Sequence, residues 1–83
     1  MVTGVLPNKD QKESIQKLAY FLGVSEYNSQ NYKDAITYFS YGNQYQINST
    51  YSFLINFWLA DSYYQLGNYQ QAISLYGYFL NYL

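Results

Sequence analysis

The side chains able to do acid–base, nucleophilic or metal chemistry are few in this chain. It holds five carboxylates (Asp10, Glu13, Glu26, Asp34, Asp61) and four lysines (Lys9, Lys12, Lys17, Lys33), and no histidine, cysteine or arginine. A serine nucleophile needs a positioned base, and only the lysines could serve. The carboxylates are mostly scattered over solvent-facing helix positions, Glu26 and Asp61 excepted, and are too few to converge on a metal. No catalytic residue, cofactor site or metal site is expected, and no enzyme. What stands out is aromatic: 13 tyrosines in 83 residues, while from residue 35 onward Asp61 is the only charged side chain. Soluble surfaces usually carry about 25–35% charged residues. Tyrosine offers a large apolar body with a polar tip and is favoured where a surface is to be covered. A covered surface and a merely biased composition both fit.

The same inventory excludes other classes. Nucleic-acid backbones need clustered lysine or arginine, whereas the cations here lie toward the N-terminus and are balanced by acids, for a net charge of −1. Tyrosines could stack bases, but without a basic funnel no nucleic acid is expected. No run of about 18 apolar residues occurs, so no membrane span is expected, and the first ten residues lack the pattern of a signal peptide. Without cysteine there is no disulfide or thiolate zinc site, and the redox compartment stays open.

The elements that position these residues repeat. Tyr27–Phe39 aligns with Tyr64–Tyr76 at an offset of 37 residues, placing Leu22 on Leu59, Ser25 on Ser62, Asn31 on Asn68, Tyr32 on Tyr69, Ala35 on Ala72 and Ile36 on Ile73. Each unit reads as helix–turn–helix. The first helix starts after Pro7-Asn8 and runs to about Asn28, with Ile15, Leu18 and Leu22 at helical spacing. Asn31 with Asp34 reads as a capping box for a second helix over about Tyr32–Gln46, and Asn68 with Gln71 reads the same way after a helix-ending Gly67. Asn48-Ser49-Thr50 supplies a cap for a third helix to about Leu66, and the fourth covers about Tyr69–Tyr82. Small residues, Gly23 with Ala35 and Ala60 with Ala72, stand where paired helices must cross closely. The expected fold is all-α: one domain over 1–83 made of two helix–turn–helix repeats (about 8–47 and 48–83), four helices of an α-solenoid.

Leu22-Gly23 with Asn31–Ile36, and Trp58-Leu59-Ala60 with Tyr63–Ile73, resemble the tetratricopeptide repeat, from about residue 16 onward. The period here is 37 residues, against about 34 in the family, and the unit-closing proline is missing. The longer period and the ending Tyr78–Leu83 are similar to the bacterial envelope branch, the repeats of outer-membrane assembly lipoproteins and of the Tol–Pal coordinator. That resemblance points to the cell envelope or exterior and to an envelope protein as one possible partner. It also implies a concave face built by the first helix of each unit: Lys17, Tyr20, Phe21, Val24 and Tyr27, then Leu54, Phe57, Trp58, Asp61 and Tyr64. Phe21 and Trp58 read more simply as core. Tyr20, Val24 and Trp58 stand where chaperone-binding relatives grip a terminal carboxylate, so a groove for an apolar or aromatic peptide is expected instead.

Two repeats are fewer than the three or so that stand alone, and an end unit in solution needs a polar outer face. The last helix is apolar almost all round. The expectation is therefore self-association by stacking of repeats, with Leu75, Phe79, Leu80 and Leu83 meeting Ile15, Leu18 and Leu22 of another copy. Contacts of that kind close rings or grow filaments. The alternative is a monomeric adaptor that uses the groove. A glycan partner is a weaker third reading, and Asn48-Ser49-Thr50 is also a glycosylation sequon.

Overall fold

The structure, a computed structural model, describes the backbone over residues 6–80 and side chains over 6–77. Four helices follow one another: α1 (Lys9–Asn28), α2 (Tyr32–Gly42), α3 (Ser49–Gln65) and α4 (Tyr69–Leu80). No strand occurs among the described residues. The architecture is the all-α pair of helix–turn–helix units expected from the repeat.

Local chemistry sets each boundary. At the start of α1 the Asn8 side chain accepts from the Gln11 backbone N–H (2.8 Å) while the Gln11 side chain accepts from the Asn8 N–H (2.9 Å), a reciprocal capping box. Both first helices end in the same six-residue closure. In the first unit the Asn31 N–H donates to Glu26 C=O and the Gln30 N–H to Tyr27 C=O. In the second, Asn68 donates to Tyr63 and Gly67 to Tyr64. This pattern needs one residue in the left-handed region, and the two occupants are Gln30 (φ 64°) and Gly67 (φ 81°), one repeat apart. At the start of α3 the Asn48 side chain accepts from the N–H groups of Thr50 and Tyr51.

Two local expectations are corrected. Asn31 makes no side-chain cap: its amide donates to Glu26 at 3.1 Å, so the Asn31/Asp34 capping box does not form. The Asn68 equivalent is a single long bond, 3.4 Å from the Gln71 N–H. The second helix stops at Gly42 rather than near Gln46, because Gly42 lies against Ala19 and Ile55 and the chain turns there, with Tyr45 N–H donating to Gly42 C=O.

The core is small. Phe39, Ile55 and Leu59 supply its bulk, and Ala19, Ala35, Ala60 and Ala72 let the helices close on it. A Cβ at Gly23 would lie 2.4 Å from the Phe39 ring, so only glycine permits α1 and α2 to approach this closely. In the second unit Ala60 and Ala72 occupy the equivalent crossing, both buried. Phe21, expected in the core, is more than half exposed. Its ring pairs with those of Tyr20 and Tyr51 at the surface. Trp58 is half-buried against the core cluster.

Candidate protein-binding faces

Two polar latches join the units. Gln16 is fully buried; its Nε2 donates to Ser52 Oγ (2.9 Å) and Asn48 C=O (3.2 Å), and its Oε1 accepts from Asn48 N–H (2.9 Å). Such an amide satisfies itself while tying α1 to the start of α3. The second latch is Asp61 on α3. One of its oxygens accepts from the Tyr27 hydroxyl of α1 and the other from the Tyr76 hydroxyl of α4 at 2.8 Å. Burial first, and then the accepting carboxylate, pushes both phenols up to about 12. Rings close the circuit: Tyr27 meets Trp58 edge to face at 4.9 Å, Trp58 meets Phe57 at 5.7 Å and Phe57 meets Tyr76 at 6.5 Å. Charge-assisted bonds of this type are the stronger ones, so α1, α3 and α4 are held about a single carboxylate.

These contacts place the expected groove residues. Tyr27, Phe57 and Asp61 come together in the circuit just described. Tyr20 and Lys17 form a second cluster around Tyr51, the ring of which lies 5.4 Å from that of Tyr20 and 5.8 Å from Lys17 Nζ. Val24 packs on the core between the clusters. Tyr64 stands half open against Tyr69. Leu54 is set apart, lining a cleft of about 510 Å³ with Ile47 and Phe53 beside the turn between α2 and α3. Tyr76 and Gln16 were missed by sequence reasoning. Neither is charged, and the partners that give each its role lie far along the chain.

The expected stacking residues on α1 line one surface. Ile15, Leu18 and Leu22 form, with Ala19, Thr37, Tyr38 and Tyr41, an almost wholly apolar cleft of about 350 Å³ between α1 and α2. Leu75 packs against the core. Phe79 and Leu80 end α4, and their side chains, together with Leu83, lie outside the described residues.

Repeat equivalence says what these surfaces are. Leu18 and Leu22 correspond to Ile55 and Leu59 of the second unit. Leu18 is 60% exposed and Leu22 39%, while Ile55 is 0% and Leu59 6%, because α2 covers the second pair. At the other end Ile36 is half-buried against the core, whereas its equivalent Ile73 is 65% exposed. Each of the two faces by which the units pack is covered inside the chain, and each is open on the unit that has no neighbour there.

Among the described residues, no group of three or more His, Cys, Asp or Glu side chains is placed to hold a metal, and no helix is long and apolar enough to cross a membrane. Paired antiparallel helices stacked face on face at a fixed sequence offset define a helical-repeat protein of the α-solenoid kind. The family model for the tetratricopeptide repeat matches residues 56–82, and the second unit is a tetratricopeptide repeat whose arrangement the first unit shares. Repeats of this family are protein–protein interaction modules. No curated protein and no solved structure matches the chain.

Proposed function

We propose that this chain is a non-enzymatic interaction module that self-associates by end-to-end stacking of its repeats. The observation that carries the reading is the exposure of Leu18, Leu22 and Ile73 at positions whose equivalents are covered within the chain. A second copy supplies the missing cover: its α4 enters the α1/α2 cleft as α2 lies on α3. Full burial of a large apolar side chain contributes about 1.5–3 kcal/mol. Three half-open residues of this size offset a substantial part of the cost of association. The stripes that meet, Leu18 and Leu22 on one side and Ile73 on the other, carry no charge, and α4 has no charged side chain, so like-charge repulsion does not oppose the contact. The two faces differ, so the contact is heterologous and can propagate into a ring or a filament.

The test uses blocked ends. Leu18→Lys with Leu22→Lys closes one face, and Ile73→Lys closes the other. In light scattering after size exclusion, the parent should grow with concentration and each variant alone should stay monomeric. Their mixture should stop at one-to-one pairs. A parent that remains monomeric at high micromolar concentration overturns stacking. The second reading, a monomeric adaptor that takes an apolar or aromatic peptide, then becomes the better one. Its support is the open aromatic surface of Phe21, Phe57 and Tyr64 along the α1/α3 face.

A further inference from the structure

We propose that Phe53 of one copy is the knob that fixes the register of the stack, seated in a cleft on α1 of the next copy; the inference rests on the stacking reading. Within the chain, the residue that enters the neighbouring unit at this repeat position is Gln16, which reaches Asn48 and Ser52. One repeat later the position of Gln16 is held by Phe53, and one repeat earlier the positions of Asn48 and Ser52 are held by Gln11 and Ile15. The stacking operation that seats Gln16 on Asn48 and Ser52 therefore seats Phe53 on Gln11 and Ile15. Those two residues line an open cleft of about 650 Å³, with Leu6, Pro7, Asp10, Ser14, Tyr41 and Tyr45 as its other walls.

Both sides of the contact change character together. Gln16 is 0% exposed and Ser52 is its hydroxyl partner; Phe53 is 41% exposed and Ile15 has no hydroxyl. An amide at position 53 would lose the backbone partner that Gln16 has in Asn48 N–H, because the Gln11 backbone N–H already donates to Asn8 within the α1 capping box. A ring needs no such partner and gains from leaving water. Phe53 has a partner within its own chain, and the open part of its ring is what the neighbouring copy would cover. Polar pairing thus marks the join inside the chain, and an aromatic knob marks the join between copies.

The experiment uses the full chain. Phe53→Gln should keep the parent's helical circular dichroism and weaken association about tenfold or more, as expected for loss of one well-buried ring at an interface. In parallel, a benzophenone-bearing phenylalanine placed at position 53 keeps an aromatic knob there. Under irradiation it should cross-link to Pro7, Ile15, Tyr41 or Tyr45 of a second copy, located by mass spectrometry. Stacking holds and this inference falls if Leu18→Lys with Leu22→Lys breaks the assembly while Phe53→Gln leaves it intact, or if the cross-link maps elsewhere. If the parent is a monomer, both fall. If Phe53→Gln does not fold, the cross-link position alone decides.

Discussion

Replacing Gln16 with methionine tests whether the buried amide holds the two units in register. Methionine is close in length and volume, so the site stays filled and the change is almost purely one of hydrogen bonding. Three bonds go: Nε2 to Ser52 Oγ, Nε2 to Asn48 C=O, and Asn48 N–H to Oε1. Their partners fare differently. The Asn48 carbonyl still accepts from Ser52 N–H at 2.9 Å, so it is not orphaned. The part-buried Asn48 N–H loses its acceptor, and an unsatisfied buried donor costs about 1–3 kcal/mol, so this one costs toward the lower end, with a smaller loss at the Ser52 hydroxyl. Burial of the thioether offsets about 1 kcal/mol of this. The net loss should be about 1–2 kcal/mol, from a total that for a domain of this size is roughly 4–12 kcal/mol. For 83 residues that corresponds to a drop in Tm of roughly 5–12 °C. The melt should be followed by circular dichroism in the Leu18→Lys, Leu22→Lys background, so that association does not add to the apparent stability. Combining Gln16→Met with Ser52→Ala should cost less than the sum of the two, since the orphaned hydroxyl is then gone. A fall in Tm of only a degree or two would refute the reasoning, because it would mean that Asn48 and Ser52 find other partners without cost.

Two further outcomes follow from the backbone and the phenols. Gln30→Gly should stabilise by about 0.5–1 kcal/mol, since a left-handed conformation costs a non-glycine residue about 1–2 kcal/mol and glycine's extra freedom when unfolded returns part of it. Gly67→Ala should cost about 1 kcal/mol in the same melt, and purely through the backbone, because a Cβ there would meet nothing within 4 Å. Tyr27 and Tyr76 ionise near 12 in the folded chain against an ordinary value of 10.0, so the folded state holds these protons more tightly than the unfolded one. Their contribution is complete below about pH 10 and is lost as pH rises through about 12. Alkaline titration of phenolate absorbance should therefore show two tyrosines lagging the rest, and Asp61→Asn should bring them back toward the main transition.

Much of the architecture was legible because it depends on residues whose types leave few choices. Gly23, Ala35, Ala60 and Ala72 recur at one offset where helices must cross, and Gly67 ends a helix wherever it sits. Features that depend on the neighbouring unit were less legible. Gln16 is an uncharged amide between Ile15 and Lys17, and nothing local marks it; only the placement of Asn48 and Ser52 beside it gives it a partner. Phe21 failed in the opposite sense. Its ring is as apolar as that of Phe39, but it stands more than half exposed beside Tyr20 and Tyr51, and periodicity over a single helix does not say which face a partner will cover. Asn31 has the residue type and spacing of a cap, yet Glu26 lies within reach of its amide and takes the bond. The isolation of Asp61 could be read directly from the charge pattern. Its role could not, because Tyr27 and Tyr76 lie 34 and 15 residues away from it.

The repeat also accounts for how copies that share one backbone plan can tell their own halves from each other's. Consider a mis-docking in which the second unit of one copy takes the place of the first unit against another copy's α3. Phe53 would then press on Ser52 and Asn48, and the Gln16 amide would be left without either. Tyr64 would occupy the place of Tyr27 and could still bond Asp61, so that latch discriminates little. Discrimination falls on the amide, where burying the Ser52 hydroxyl and the Asn48 N–H under a phenyl ring costs about 1–3 kcal/mol for each unsatisfied group. Specificity is a difference of affinities, and it grows when the wrong pairing is penalised as well as the right one favoured. A polar join within the chain and an apolar join between chains gives that difference without any change of fold. The single exchange Phe53→Gln should then have two effects in opposite directions: weaker stacking between copies, and more swapping of units between them, visible as dimers that persist when Leu18 and Leu22 are both lysine.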